Sequence, residues 1–184
     1  LPRLEDLGDL TGRRVIVRCD FNVPLANGAI LDDFRILSAL PTLRYLQDAG
    51  AKVTACSHLG RPGGQVDPTL AMAPVGERLR QLIPGVEVLE NLRFDPGETA
   101  NATEVVERLV AGQDAYVNDA FAASHRVHAS VVGPPTRLPS AAGRLMVKEV
   151  EALGSLRGAP RRPFVAILGG AKVRDKLGVV ESLL

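Results

Sequence analysis

The sequence predicts an α/β fold, in which a mostly parallel β-sheet carries helices on both faces in a Rossmann-like, three-layer arrangement. Short runs rich in β-branched residues alternate along the 184 residues with longer segments whose apolar residues have helical spacing. Single helices between successive strands imply crossover connections, which bring the strands together in parallel. Apolar residues make up 46% of the chain, which is enough for a sizeable core.

The first predicted strand is RRVIVRC at residues 13–19, a short run rich in β-branched residues. A loop that contains glycine and asparagine leads to a helix at 32–50, which has helical apolar spacing and ends at Gly50. Pro41 inside this helix predicts a kink, because proline removes one backbone hydrogen bond and clashes with the preceding turn. The second strand, AKVTACS, follows at 51–57.

The same alternation continues through the middle of the chain. A helix at 70–85 is closed by a Pro-Gly pair, and VEVLEN at 86–91 is the third predicted strand. A helix at 101–112 then precedes the fourth strand, DAYVNDAF, at 114–121. Because ligands gather beyond the carboxyl ends of parallel strands, we expect the loops after these four strands to open on one edge of the sheet.

The C-terminal part is predicted to contain one more helix and one more strand. PPTRLPSAAG at 134–143 indicates a turn-rich surface segment, since proline, serine and glycine favour turns. A helix at 144–156 is followed by the linker GAPRRP and by the fifth strand, PFVAIL, at 163–168. A Gly-Gly turn and a last helix complete the pattern.

Charge and composition argue against several classes of protein. The net charge of +1 gives no global attraction to nucleic acid or to an anionic membrane. No apolar run reaches ~18 residues and no signal peptide opens the chain, so we expect neither a membrane span nor secretion. Cys19 and Cys56 lack the spacing of a metal site, and we expect them to be buried free thiols in a reducing, cytoplasmic compartment.

The loops that follow the predicted strands carry side chains suited to an anion. All three histidines lie there, at positions 58, 125 and 128, together with Arg61, Arg93 and Arg126, while Arg35 begins the helix after the first loop. A guanidinium group matches phosphate or carboxylate in two-point contacts, so four arginines at one sheet edge predict an anion site. The alternative is that each arginine is an ordinary solvated surface charge.

Within SHLGRP, His58 and Arg61 are three residues apart in a loop and can point at one group, and Gly60 allows close approach of the backbone. His58 can equally be a cap on the strand end. SHRVHAS is a second candidate segment for the border of the anion site, although either His125 or His128 can instead be an imidazole packed in the core.

Asp20 and Asn22, in CDFNVP, are two residues apart on an extended segment, so both can face the same cleft. Asp20 can accept a hydrogen bond from a substrate hydroxyl, and Asn22 can donate one to a carboxylate. Alternatively, Asp20 pairs with Arg18 on the same strand face and Asn22 only makes a turn before Pro24.

The C-terminal GGAKVRDK contains a second candidate phosphate site. Lys172 and Lys176 are four residues apart and share a helix face, and Gly169 and Gly170 precede them. Exposed backbone N–H groups at a helix start favour a phosphate, although the spacing is not that of a Walker P-loop. The alternative is an ordinary junction of strand and helix with two surface lysines.

Six motifs identify a family that this chain resembles from end to end. They are, in order, RVIVRCDFNVPL, DDFRI, SHLGRP, ENLRF, VNDAFAASHRVHAS and AILGGAKVRDK. In this order they resemble phosphoglycerate kinase, a glycolytic enzyme of two α/β lobes. The resemblance implies that the first lobe binds 3-phosphoglycerate or 1,3-bisphosphoglycerate, that the second binds Mg-ADP or Mg-ATP, and that acyl phosphate is transferred between them.

The resemblance also implies a role for each matching residue. Asp20 and Asn22 would contact the hydroxyl and carboxyl end of the glycerate, and Arg35 would be catalytic at the transferring phosphoryl group. The basic patch that would hold the non-transferred phosphate consists of His58, Arg61, Arg93 and Arg126. The residues that would line the nucleotide phosphates are Gly169, Gly170, Lys172 and Lys176. Lys172 would also be catalytic, and the acidic Mg ligand would lie beyond this sequence.

By the same resemblance we expect a fragment: a first lobe at 1–146, an interlobe helix and linker at 147–162, and the first strand and helix of the nucleotide lobe at 163–184. Such a fragment is expected to bind 3-phosphoglycerate without catalysing, and the full-length protein to be a monomer. The rival functions are a non-catalytic anion-binding module and a dinucleotide-dependent oxidoreductase. The latter would need a GxGxxG after the first strand, which is missing.

Overall fold

A computed structural model describes residues 1–157, 162–165, 167 and 178 of the chain. The chain divides into two compact units, Leu1–Val147 and Lys148–Leu184. The strands of the first unit, β1 to β7 in chain order, are Arg14–Arg18, Leu25–Ala26, Ala29–Ile30, Lys52–Cys56, Glu87–Val88, Ala115–Asn118 and Ser140–Ala142. The helices α1 to α6 are Phe34–Asp48, Ala73–Leu82, Pro96–Thr99, Thr103–Val110, Ala129–Val132 and Arg144–Arg157.

Five of the strands form one parallel sheet in the order β5-β4-β1-β6-β7. This confirms the predicted α/β class, with β1 at the centre. Alternate strand residues point to opposite faces, because side chains of a strand alternate. Val15 and Val17 pack with α1 and α2 in one core, and Ile16 and Tyr116 pack with α4 and α5 in another. Helices therefore cover both faces, as predicted.

One strand contradicts the sequence-based prediction. Part of the segment 134–143, which was predicted to be a turn-rich surface, is β7, the fifth strand of the sheet. Its backbone pairs with β6, and Ala141 and Ala142 are buried. A three-residue strand of small side chains next to prolines and glycine has almost no strand pattern of its own, so the pairing with β6 decides its conformation.

A short antiparallel hairpin, β2–β3, lies in the long loop after β1. Its turn consists of Asn27 and Gly28, which both have positive φ, at 51° and 76°. Such turns match the twist of a hairpin and favour Asn-Gly. The Asn-Gly pair was therefore a readable signal in LANGAI, although the prediction treated the segment only as a loop.

Several other elements are shorter than predicted: the strand predicted at 86–91 is Glu87–Val88, and the strand predicted at 114–121 is Ala115–Asn118. The helix predicted at 101–112 begins at Thr103, because Asn101 is in the left-handed region with φ 54°. Pro41 lies inside α1, and the kink there stays a prediction. Cys19 and Cys56 are buried free thiols, as expected. Burial is the largest cause that raises the pKa of both thiols, for Cys56 to about 12.

The second unit contains most of α6, from Lys148 onwards, and a few further described residues, of which Val165 and Ile167 are exposed. Residues 166 and 168 lie outside the described part, so the strand at 163–168 stays a prediction. The four nucleotide-site residues at 169, 170, 172 and 176 also lie outside it. Among the described helices, none is long and apolar enough to cross a lipid bilayer.

Candidate anion-binding site

The strand order determines which loops meet. Strands β4 and β6 flank β1 on either side, and all three are parallel, so their carboxyl ends lie together at one edge of the sheet. The loops that leave this edge begin at Cys19, Ser57 and Asp119. In open parallel sheets, ligands bind in the crevice where successive connections run to opposite sides of the sheet. The candidate site lies at this edge.

Arg18, the last residue of β1, is fully buried at this edge. Its Nε donates to Ser130 Oγ at 2.9 Å, one terminal nitrogen donates to the Cys19 carbonyl, and the other lies 3.0 Å from His58 Nδ1. Arg18 does not pair with Asp20, so that alternative is wrong. Sequence reasoning gave Arg18 no part in the site, although a cation inside an apolar strand run was a signal for one.

Glu98 balances this buried cation through a serine. Its two carboxylate oxygens accept from Ser130 Oγ at 2.6 Å and from Ser130 N at 2.9 Å, and Glu98 is also fully buried. Tyr116 donates its hydroxyl to the Ser130 carbonyl at 2.8 Å. A buried charge needs a partner and satisfied hydrogen bonds, so this connected network holds Arg18 in one orientation.

His58 lies beside Arg18 and is only 7% exposed. Burial, followed by the charges of Arg18, Arg93 and Arg126, lowers the pKa of His58 from 6.5 to about 3. The imidazole is therefore neutral at physiological pH. The imidazole contacts Arg18 through Nδ1, and the neighbouring Ser57 Oγ accepts from Phe21 N at 2.9 Å, which joins the loop after β4 to the loop after β1.

The other two histidines have different environments. His128 is buried, with Nδ1 3.7 Å from Glu98 Oε1, and burial is the largest cause that lowers its pKa, against the opposing charge of Glu98. It is thus a packed imidazole at the border of the network. His125 is exposed.

A cavity of about 420 Å³ opens beside this network and is lined by Arg61, Arg93 and Arg126. Its other lining residues are Gly63, Gly64, Pro96 and Thr99, so within the described chain it has no acidic side chain. None of the three arginines forms an ion pair with a described residue. The cavity is thus a concentration of positive charge without an internal counter-ion.

Arg93 is the most constrained of the three. It is 7% exposed, and one terminal nitrogen donates to the Gly60 carbonyl at 2.7 Å. Its buried Nε has no hydrogen-bond partner among the described residues. Burial, then the charges of Arg126 and Arg18, lowers the pKa of Arg93, although a guanidinium stays protonated in proteins. An unsatisfied buried donor at a cavity wall is a position that favours a bound anion.

Asp20, Asn22 and Arg35 form a second group next to the cavity loops. Arg35 is half exposed and forms an ion pair with Asp20. Asn22 Oδ1 accepts from Gly60 N at 2.8 Å, which joins the loop after β1 to the loop after β4. Asn22 therefore makes a tertiary contact and does not serve only as a turn residue, and its amide nitrogen stays available as a donor.

Asn91 is a site-organising residue that sequence reasoning missed. It is 3% exposed, and its Oδ1 accepts from Leu59 N and from Arg93 N, both at 3.1 Å. Its Nδ2 donates to the carbonyls of Leu59 at 2.7 Å and Leu70 at 3.0 Å. The side chain thus fixes the loop of His58 relative to Arg93. The only signal in the sequence was its place at the end of a predicted strand.

Comparison with known proteins gives consistent matches. A sequence model described as phosphoglycerate kinase matches residues 4–88 and 85–184. The chain is 49% identical to a phosphoglycerate kinase of Rubrobacter xylanophilus and 50% identical to one of Thermomicrobium roseum, over 96% and 94% of its length. It covers 51% and 50% of these relatives, so it spans about half the length of the curated relatives it matches.

Solved structures give the same result. The crystal structure of phosphoglycerate kinase from Pyrococcus horikoshii matches with a TM-score of 0.88 and 34% identity, over 98% of this chain and 52% of that one. The structure of phosphoglycerate kinase from Coxiella burnetii matches with a TM-score of 0.85 and 36% identity, over 94% of this chain and 49% of that one. Both similarities extend over almost the whole of the present chain.

Proposed function

Because this chain belongs to the phosphoglycerate kinase family, we propose that its first unit binds 3-phosphoglycerate or 1,3-bisphosphoglycerate. The whole protein would then transfer the acyl phosphate of 1,3-bisphosphoglycerate reversibly to Mg-ADP, giving 3-phosphoglycerate and Mg-ATP. The observation that supports this most directly is the cavity with three guanidinium groups and no acidic residue in its described lining. A small, multiply charged acid supplies the negative charge that this cavity lacks.

In the proposed complex, Arg61, Arg93 and Arg126 hold the phosphate that is not transferred. Phosphate accepts paired N–H donors from the guanidinium plane, and each charge-assisted bond is shorter and stronger than a neutral one. His58 adds an uncharged imidazole at the border of the patch.

Asp20, Asn22 and Arg35 act at the other end of the substrate. Asp20 would accept from the glycerate hydroxyl, and the Asn22 amide would donate to the carboxyl end. Arg35 would contact the transferring phosphoryl group, for which its guanidinium must share or leave its ion pair with Asp20. The Arg35 side chain is 46% exposed and that of Asp20 only 10%, so the guanidinium is the partner that can turn towards a ligand.

Catalysis in this proposal depends on position and charge. In phosphoryl transfer, negative charge spreads over the equatorial oxygens, and groups that are already in place to neutralise it lower the barrier. The nucleotide phosphates would be held by Gly169, Gly170, Lys172 and Lys176, with Lys172 also near the moving group. When bound, Mg²⁺ supplies charge neutralisation at the nucleotide phosphates. Substrates on separate lobes also require a closing motion of the whole protein.

Isothermal titration calorimetry of this chain tests the proposal. Binding of 3-phosphoglycerate is expected, with ADP as the comparison ligand. Arg61→Gln should weaken 3-phosphoglycerate binding about 10- to 100-fold, because a hydrogen bond to a charged group contributes about 1.5–3 kcal/mol. Arg61 is exposed, so the variant should fold.

The matched control is Arg80→Gln, which also removes one exposed arginine but lies in α2 beside Glu77, outside the residues that line the cavity. It should bind 3-phosphoglycerate as the unmodified chain does. If the unmodified chain does not bind 3-phosphoglycerate, or if Arg61→Gln and Arg80→Gln lose affinity equally, the assignment of the cavity is wrong.

A further inference from the structure

The contact between Arg18 and His58 has a chemical consequence. A guanidinium nitrogen can only donate, so His58 Nδ1, 3.0 Å from the Arg18 terminal nitrogen, must accept. An accepting Nδ1 carries no proton, and a neutral imidazole must then carry its proton on Nε2. Within the part of the chain that the structure describes, His58 Nε2 has no hydrogen-bond partner and is not among the buried unsatisfied atoms.

We propose that Arg18 is a positioning residue that fixes His58 as the neutral tautomer protonated on Nε2, so that His58 offers the anion site a hydrogen-bond donor without a charge. The proposal rests on the proposed function for the identity of the anion alone. The tautomer itself follows from contacts inside the chain and exists without any ligand.

The orientation of Arg18 is determined by hydrogen bonds on its other side. The Ser130 hydroxyl has one proton, which it donates to Glu98 at 2.6 Å, so its oxygen is free to accept from Arg18 Nε at 2.9 Å. The Cys19 carbonyl accepts from a terminal nitrogen. Because Arg18, Glu98 and Ser130 are all fully buried, water does not compete for these bonds. Arg18 therefore presents the remaining terminal nitrogen to His58 in one geometry.

The charges around His58 disfavour any protonation of Nδ1. The charged or titratable groups with the largest influence on its pKa, all of which lower it, are Arg18 from β1, Arg93 from the loop after β5, and Arg126 and His128 from the loop after β6. Every one of these is a cation or a potential cation, and no carboxylate is among them. A second proton on His58 would add a further positive charge to this cluster and would remove the acceptor for Arg18. The positive charge of the site thus comes from guanidinium groups, which do not titrate.

Nitrogen NMR of the ligand-free chain, labelled with ¹⁵N at histidine, tests this directly. The expected result is a His58 ring with a protonated Nε2 and an unprotonated Nδ1, unchanged between pH 5 and pH 8. His58→Gln identifies the resonances by their loss. A His58 ring that exchanges between tautomers, carries its proton on Nδ1, or becomes doubly protonated within this pH range would overturn the proposal.

A second measurement separates positioning by Arg18 from mere packing. Arg18→Met alone leaves Glu98 as a buried, uncompensated charge, so the variant to compare is Arg18→Met combined with Glu98→Gln, which removes both charges. In this double variant His58 should exchange between its two tautomers, while the exposed His125 serves as the internal control and should be unchanged. If the double variant retains the Nε2 tautomer, Arg18 does not set it.

An unfolded double variant would leave the spectrum of the unmodified chain as the deciding result, because that spectrum alone can contradict the proposal. The outcomes also separate this inference from the proposed function. The expected tautomer in a chain that does not bind 3-phosphoglycerate would overturn the function and keep the inference. Binding of 3-phosphoglycerate by a chain whose His58 is protonated on Nδ1 would keep the proposed function and overturn the inference.

Discussion

Single arginines in this chain have roles that depend on their surroundings. Arg18 is fully buried, held by Ser130 and opposite His58, and so it organises other groups. Arg61 is exposed at the cavity wall, where it is free to contact a ligand. Arg35 is half exposed and is paired with the largely buried Asp20. Position in the fold therefore distinguishes side chains that look alike in the sequence.

Replacement of Arg35 by alanine in the full-length enzyme should lower kcat about 10³-fold or more with little change in KM. An arginine that contacts the transferring phosphoryl group stabilises the transition state more than the bound substrate. Steady-state kinetics in both directions of the reaction measure this effect. Arg44→Ala, which removes another exposed arginine of α1, is the control and should leave kcat unaltered. Equal kcat values for Arg35→Ala and the unmodified enzyme would refute the role of Arg35.

His58 should make the fold less stable in acid. Its pKa is about 3 in the folded chain, against 6.5 when unfolded, so the unfolded chain binds more protons between these values and stability falls as the pH falls. From pH 7 to pH 5 this group contributes a loss of about 2 kcal/mol. Urea unfolding at pH 7 and pH 5 measures this effect. Between these pH values the free energy of unfolding of His58→Gln should fall by correspondingly less than that of the unmodified chain.

The unmodified chain must be compared with His58→Gln because the titration of Asp119 changes the free energy of unfolding in the opposite direction as the pH falls. Burial is the largest cause that raises the pKa of Asp119, to about 6, so the folded chain holds this proton more tightly and its contribution to stability rises as the pH falls from 6 towards 4. The two effects partly cancel in the unmodified chain. If His58→Gln and the unmodified chain lose the same stability, the imidazole of His58 is not neutral in the fold.

At the scale of elements, the start of α6 is held by the loop after β6. Asp119 Oδ1 accepts from Leu145 N at 2.9 Å and from Met146 N at 3.3 Å, which satisfies two of the free N–H groups in the first turn. Gly143, directly before the helix, has no room for a side chain, since a Cβ there would lie 2.1 Å from Asp119 Oδ1. Carboxylate and glycine together make this junction.

Gly143→Ala should therefore destabilise the chain by about 1–3 kcal/mol, through overpacking and loss of the Asp119 hydrogen bonds. Gly154→Ala, in the same helix, is a matched control, because a Cβ at that position meets nothing within 4 Å. The control should be neutral or slightly stabilising, since alanine favours a helix over glycine. Chemical denaturation measures both, and equal stabilities of the two variants would contradict the account of the junction.

The sequence was sufficient to predict the long, strongly patterned elements, such as β1, β4 and α1. It was insufficient for β7, whose three small residues become a strand only through their pairing with β6. The site shows the same division. Histidines and arginines in strand-end loops were visible as candidates, whereas the buried contacts of Arg18, Glu98 and Asn91 depend on residues that are far apart in the chain.

For the whole molecule, the distribution of charge decides how binding responds to salt. The net charge is only +1, so no strong global field surrounds the chain, but three arginines without described acidic partners line one cavity. Binding of 3-phosphoglycerate should therefore weaken as NaCl is raised from about 0.05 to 0.5 M, because ions screen local attraction between charges. Calorimetry at several salt concentrations measures the slope.

The slope should become shallower in Arg61→Gln and stay the same in Arg80→Gln, since only the first removes a charge that faces the ligand. An affinity that does not depend on salt would show that the cavity does not bind 3-phosphoglycerate through its charge. The fold alone does not make this distinction, since many α/β proteins share the sheet and bind neutral ligands.

The two buried thiols have a practical value. Cys19 and Cys56 are enclosed in the core and their pKa values are raised, so neither is available as a thiolate to maleimide reagents. One cysteine introduced on the surface of this chain would thus be its sole reactive thiol, and a fluorophore attached beside the cavity would report ligand binding without removal of either native cysteine.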